Sequence, residues 1–157
     1  MLENGMQNFI VAVGRWKPGP EKALYELYKK RIQPTLQLKE VEEKRRLSDA
    51  ELKRREGQLL LDAVPDGARI IVLDGIGKAL SSRALAETLG RWRDNGVRSA
   101  AFMIGGANGH DQAVLHRANL KLSLGPQTWP HMMVRVMLAE QLYRVQAILS
   151  GHPYHRE

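Results

Sequence analysis

The chain has 157 residues, 43 % of them hydrophobic, which suits one domain with a core large enough to need no staples. It contains no cysteine, which excludes a disulfide scaffold, a thiolate-held zinc and a thiol nucleophile. Lys and Arg total 24 against 17 Asp and Glu, and the net charge of +7 suits a polyanionic partner.

The opening MLENGMQNFIVAVGRW has no basic stretch ahead of an apolar one, so no signal peptide is expected. The longest apolar-rich run, 131–150, is interrupted by Arg135, Glu140 and Arg144. Central charges cost roughly 2.5–3.5 kcal/mol each on insertion, so the expectation is a cytoplasmic protein without a membrane span.

Residues 9–13 form a short apolar run ending at Gly14, the mark of a buried strand. Pro20 opens a helix with Leu24, Leu27, Tyr28 and Ile32 at helical spacing. Leu36, Leu38 and Val41 suggest a second strand, and the charged run 42–46 reads as an exposed loop. Ser48 and Glu51 make an S-x-x-E capping pair, so a helix runs from there to about Val64, and Pro65-Asp66-Gly67 turns the chain. Residues 70–73 are a third, nearly unbroken apolar strand. Ser82 is expected to cap a helix carrying Leu85, Leu89 and Trp92, stopped by Asn95-Gly96. A fourth strand covers 100–104, a glycine-rich turn 105–109, and a short helix 111–118. Leu120, Leu122 and Leu124 alternate as a fifth strand, and 131–150 is the last helix.

Five strands alternating with five helices mean an α/β fold, a mostly parallel sheet with helices on both faces. Residues 1–157 read as a single domain, with 1–5 as an extension. Ligands in such sheets bind beyond the carboxyl ends of the strands, where 74–78, 105–109 and 125–130 lie. Neither G-x-G-x-x-G nor the Walker A pattern occurs, and the late glycine loops disfavour a Rossmann site. His152 and His155 lack a partner motif such as H-E-x-x-H, so no metal is expected. In the last helix, His131, Arg135 and Gln146 lie opposite Glu140, Gln141 and Arg144, leaving two apolar faces. One face can cover the sheet, and the other is expected to meet a second copy in a homodimer.

Several fragments now fall in a recognisable order. They are Ile10-Val11-Ala12-Val13-Gly14, Leu73-Asp74 with Gly77-Lys78 and Ser81-Ser82, Ile104-Gly105-Gly106 with Gly109, and Pro130-His131 with Val134-Arg135-Val136. Glu140-Gln141-Leu142-Tyr143-Arg144 and the closing His152-Pro153-Tyr154-His155-Arg156 complete the set. Together, over residues 6–157, the chain resembles the RlmH (YbeA) family of SPOUT-class methyltransferases. The resemblance implies a SPOUT-type α/β knot, with a trefoil knot in the carboxyl half, and S-adenosylmethionine as methyl donor in a homodimer. It implies as substrate the N3 of a pseudouridine in helix 69 of bacterial 23S ribosomal RNA, within the 70S ribosome. Carried over by motif, the cofactor contacts are Leu73, Gly105 and the segment Leu124, Gly125, Pro126, Gln127, Thr128 and Trp129. Arg144, Tyr154 and His155 match positions expected near the substrate. His155 as base and Arg144 as stabiliser of developing charge are both open, as are a non-catalytic RNA-binding protein of this fold and a SPOUT enzyme acting on transfer RNA.

Overall fold

The computed structural model describes residues 5–157, and residues 1–4 of the expected extension lie outside the described residues. The elements run β1 (Gln7–Val13), α1 (Pro20–Lys29), β2 (Gln37–Val41), α2 (Asp49–Asp62), β3 (Arg69–Lys78), α3 (Ser82–Asp94), β4 (Ser99–Ile104), α4 (Gln112–Arg117), β5 (Leu120–Leu122) and α5 (His131–Ser150). All strand pairs are parallel, in the order β2-β1-β4-β3-β5. The apolar runs that build the central strands are buried on both faces, as a sheet covered on both sides requires.

Side chains of α1, α3 and α5 cover one face around Ile10, Ile71 and Phe102, and α2 and α4 cover the other around Val11, Val72 and Met103. Each step towards β2 in the sheet therefore crosses one face and each step towards β5 the other, so all crossovers share one hand. The consequence for function lies between β3 and β4. The chain leaves β4 for α4 on one face and leaves β3 for α3 on the other, which opens a crevice beyond their carboxyl ends.

Several expected details shift. Ser81, not Ser82, caps α3, accepting a hydrogen bond from the Ala84 N–H at 3.0 Å; its neighbour is already helical. Ser48 caps α2 as expected, accepting from the Glu51 N–H at 3.2 Å. In α1 the residue that enters the core is Tyr25, while Leu24 and Leu27 are 42 % and 46 % exposed and Ile32 is buried beyond the helix end. Leu24 and Leu27 of the stripe chosen by spacing thus point outward, while Tyr28 packs against the core and Ile32 lies within it. β5 has three residues, and Leu124 lies past its end.

β3 is longer than its apolar run. Leu122 of β5 pairs with both Leu73 and Lys78, so residues 74–77 form a bulge within the strand, and Ile76 at its tip is 93 % exposed. Gly77 permits this: a Cβ there would lie 2.6 Å from the Lys121 carbonyl, inside any van der Waals distance.

α5 lies between α1 and α3, burying Val136, Leu138, Ala139, Leu142, Val145 and Ala147 within the chain itself. Most of its two-faced apolarity is therefore satisfied without a partner. Gly151, in the left-handed conformation at φ 74°, ends the helix and turns the following residues back along it.

Candidate functional site

The crevice is a cleft of about 190 Å³ at the carboxyl ends of β3, β4 and β5. Its walls are largely main chain and glycine: Leu73, Asp74 and Gly75 from the bulge, Gly105, Gly106 and Gly109 from the turn after β4, and Leu124 and Gly125 after β5. Gln127, Trp129 and His131 close one side. Of the segment expected to contact a cofactor, Leu124, Gly125, Gln127 and Trp129 line the cleft, while Pro126 and Thr128 are exposed and do not. The segment is held locally. The Trp129 indole N–H donates to the Leu124 carbonyl at 3.1 Å, the Gly125 N–H donates to Ser123 Oγ at 3.1 Å, and the Ser123 hydroxyl reaches the Gly75 carbonyl at 3.2 Å.

The 105–109 turn is fixed from three directions. Gly109, at φ 78°, closes it with an N–H to the Gly106 carbonyl at 3.0 Å. His131 Nε2, at the start of α5, meets the Gly105 carbonyl. Glu56 of α2 sits beneath: a Cβ on Gly106 would lie 2.8 and 2.9 Å from its two carboxyl oxygens. The Glu56 side chain is buried, Oε1 has no partner among the described residues, and burial pushes its carboxyl above the usual range. A Cβ on Gly105 would lie 3.1 Å from Cε1 of His110 and 3.2 Å from the Gly109 carbonyl, so the space beside Gly105 is already filled. Burial also pushes the His110 ring below its ordinary value, against the nearby Asp74 carboxylate and the backbone of Leu73 and Met103.

Arg144, Tyr154 and His155 come together, but elsewhere. Glu140 and Arg144 pair at 2.7 Å one helical turn apart on α5. The Arg144 guanidinium lies 4.8 Å from the Tyr154 ring centroid, and its Nη1 donates to His155 Nδ1 at 3.2 Å. Tyr154 packs edge-on against Tyr143 at 4.6 Å between centroids and donates its hydroxyl to Glu140 at 3.2 Å. Burial, then Tyr28 and Glu140, push the Tyr154 hydroxyl up to about 12, so it remains a donor at neutral pH. Arg144 stands thirteen residues beyond His131. At 1.5 Å per residue that is about 20 Å along the helix, so one chain does not bring this cluster to its own cleft.

Sequence reasoning missed Glu56, His110 and a buried charge. Arg135 is 0 % exposed, paired with Glu40 at 2.7 Å, donating to the Gly14 carbonyl at 3.1 Å and stacked 4.7 Å from Trp16. Its helical position groups it with polar His131 and Gln146, and only the packing of α5 on β1 and β2 buries it. Among the described residues no group of three or more His, Asp or Glu side chains is placed to hold a metal. No helix among them is long and apolar enough to cross a membrane.

The family profile described as "Predicted SPOUT methyltransferase" matches residues 6–155. The chain belongs to the SPOUT methyltransferase family. Ribosomal RNA large subunit methyltransferase H of Paramagnetospirillum magneticum is 52 % identical over 151 residues, covering 96 % of this chain and 99 % of that protein. The protein of the same name from Rhodospirillum centenum is 54 % identical over equal coverage. A solved structure of a probable methylase family protein from Haemophilus influenzae aligns with TM-score 0.59 over 100 % of this chain and 72 % of its own, at 14 % identity, a likeness of fold. The RlmH resemblance in the sequence is therefore one of membership, and this SPOUT chain is an enzyme, a methyltransferase. Its parallel sheet with helices on both faces is the α/β architecture expected from the sequence.

Proposed function

We propose that this SPOUT methyltransferase transfers a methyl group from S-adenosylmethionine to N3 of a pseudouridine in helix 69 of 23S ribosomal RNA, acting on the 70S particle in the cytoplasm as a homodimer. Near-full-length identity above 50 % to two relatives named ribosomal RNA large subunit methyltransferase H carries the choice of ribosomal RNA. The finer assignment of base and position comes from the family resemblance.

The cleft fits the donor in character. Glycines at 75, 105, 109 and 125 let main-chain groups approach an adenosine closely, and Leu73 and Trp129 offer apolar surface to its base. The donor, when bound, supplies an activated methyl on a sulfonium. The residues 73–75, 105–109 and 124–129 bind and orient it, and holding two reactants in attack geometry can contribute about 7–11 kcal/mol. The carboxyl-half trefoil knot belongs to the same reading.

The 20 Å separation along α5 supports a site shared between two subunits, with Arg144, Tyr154 and His155 of one chain facing the cleft of the other. An unpartnered apolar groove supports the same arrangement: Leu24, Tyr28, Leu80, Met133 and Met137 line it, and Met133 is 37 % exposed. Of the two roles left open for the cluster, the hydrogen bonding favours Arg144 as the cation that meets the ring anion. Arginine only donates, so His155 Nδ1 accepts and its neutral ring keeps its proton on Nε2. His155 then aims Arg144 and takes the N3 proton only if that bond breaks.

The test is calorimetry with S-adenosylmethionine followed by labelled methyl transfer to 70S particles, free 23S RNA and transfer RNA. Transfer to 70S particles, lost when helix 69 carries uridine in place of pseudouridine, is the expected result. Donor binding without transfer to any RNA would overturn it in favour of a non-catalytic RNA-binding protein, and transfer to transfer RNA in favour of another SPOUT substrate.

A further inference from the structure

His110 stands at the back of the cleft without a settled role. It follows the 105–109 turn, and its ring folds against Gly105, whose added Cβ would meet Cε1 at 3.1 Å and Nδ1 at 3.2 Å. Both ring nitrogens are buried and make no well-formed hydrogen bond among the described residues, although the backbone of Leu73 and Met103 stands near them. Buried polar atoms are ordinarily paired, so an imidazole with two unpaired nitrogens lining a ligand cleft calls for a reason. The titratable groups facing it are Asp74 from the β3 bulge and His131 from α5.

We propose that His110 is a positioning residue for the methyl donor: as an uncharged ring it props the Gly105 backbone at the cleft, and its protonation expels the donor. The inference rests on reading the cleft as the S-adenosylmethionine site. The donor's amino and carboxylate groups cancel, so its sulfonium leaves it a cation. An imidazolium in the same enclosed space adds a like charge where water screens it poorly. Protonation also gives the ring a second N–H donor, drawing it towards Asp74 and the backbone of Leu73 and Met103 and away from Gly105.

The sign follows from linkage. Burial lowers the ring's proton affinity in the free protein, and a bound cation lowers it further. Donor affinity is therefore flat above the ordinary histidine value of about 6.5 and falls as pH drops through the free-protein value of His110.

The experiment is S-adenosylmethionine calorimetry on the full chain from about pH 7.5 to about pH 5, with NMR of the imidazole shifts, free and saturated with donor. In the wild type, Kd is expected to rise about threefold or more over that range, and donor to lower the His110 titration. His110→Leu keeps the bulk against Gly105 but takes up no proton, so its Kd, compared with its own value near neutral pH, should lose the acid dependence. His110→Ala removes the prop and should weaken binding about tenfold or more at every pH. An unchanged pH slope in His110→Leu, or a slope lost in His131→Gln instead, overturns the proposal while leaving the cleft as the donor site. If a variant does not fold, a His110 titration unmoved by donor in the wild type overturns it equally. No donor binding at any pH means that the cleft reading itself has failed.

Discussion

Gly105 leaves little room for a side chain, because a Cβ there would lie 3.1 Å from the His110 ring and 3.2 Å from the Gly109 carbonyl, and both would have to give way. Gly105→Val should therefore abolish S-adenosylmethionine binding in calorimetry while circular dichroism shows a folded protein; undiminished affinity would remove the turn from the site. Glu56 offers a pH-resolved test. Its carboxyl is raised in the folded state, so relative to the unfolded chain the stabilising protonated form is present below the usual carboxylate value of about 4.3 and lost as pH rises through the raised value. At neutral pH the buried carboxylate is a liability, and Glu56→Gln should melt higher than wild type there. The advantage should shrink as the pH falls through the raised value and be gone by about 4.3, and a constant difference across the range would show that burial of charge is not its origin.

At the scale of elements, α5 carries both a structural lock and the cluster proposed to face the substrate. Arg135 and Glu40 tie α5 to β2, and Glu40 also accepts the Trp16 backbone N–H at 2.7 Å. Glu40→Ala leaves a fully buried guanidinium without its counter-ion. Denaturant unfolding should show a loss of about 3–5 kcal/mol, and a loss below about 1 kcal/mol would mean that water reaches Arg135 in the variant. The residues after α5 are docked on it through Tyr154 and His155, and on α3 through the Arg83–Glu157 ion pair. This adds a stability contribution that the sequence did not suggest. Deleting residues 153–157 should cost about 0.5–1.5 kcal/mol for the aromatic contact and keep the helix content. Methyl transfer should fall about tenfold or more, equivalent to about 1.4 kcal/mol. Full activity in the truncated chain would remove Tyr154 and His155 from the proposed site.

For the molecule as a whole, the proposed dimer needs an apolar surface that a second copy covers. Sequence spacing points to Val134 and Leu138 as probes of the two faces of α5. Leu138 is buried in the chain's own core and Val134 lines the cleft, so charges there report folding and donor binding. Leu24 and Met133 are exposed beside the groove and test assembly itself. The wild type should sediment as a dimer at micromolar concentration. Leu24→Glu or Met133→Glu should shift it to monomer with donor affinity retained, because the cleft is made within one chain, and with methyl transfer lost, because the proposed site takes its Arg144 cluster from the other. A dimeric, fully active double variant would exclude this groove as the interface.

The sequence by itself determined the elements, their alternation and the parallel architecture. Periodicity, the Ser48 cap, Asn95-Gly96 and the apolar runs of β1, β3 and β4 are local signals that act within a few residues of where they occur. The ordered fragments from Ile10 to Arg156 also made the family legible, and with it Leu73, Gly105, Leu124 and Gly125, which the fold does gather at one cleft. Tertiary structure decided what depends on contacts between distant residues. The β3 bulge exists because Leu122 pairs twice, 44 residues beyond the nearer of its two partners, Lys78. Glu56 faces Gly106, His110 fills the side of Gly105, and Arg135 meets Glu40 across 95 residues. No local pattern marks such groups, since burial and the identity of the opposing atom arise only when the sheet order β2-β1-β4-β3-β5 is assembled. The same reason separates the cleft from the Arg144 cluster: adjacency in motif order is not adjacency in space, and a rigid helix of 20 residues holds the two apart.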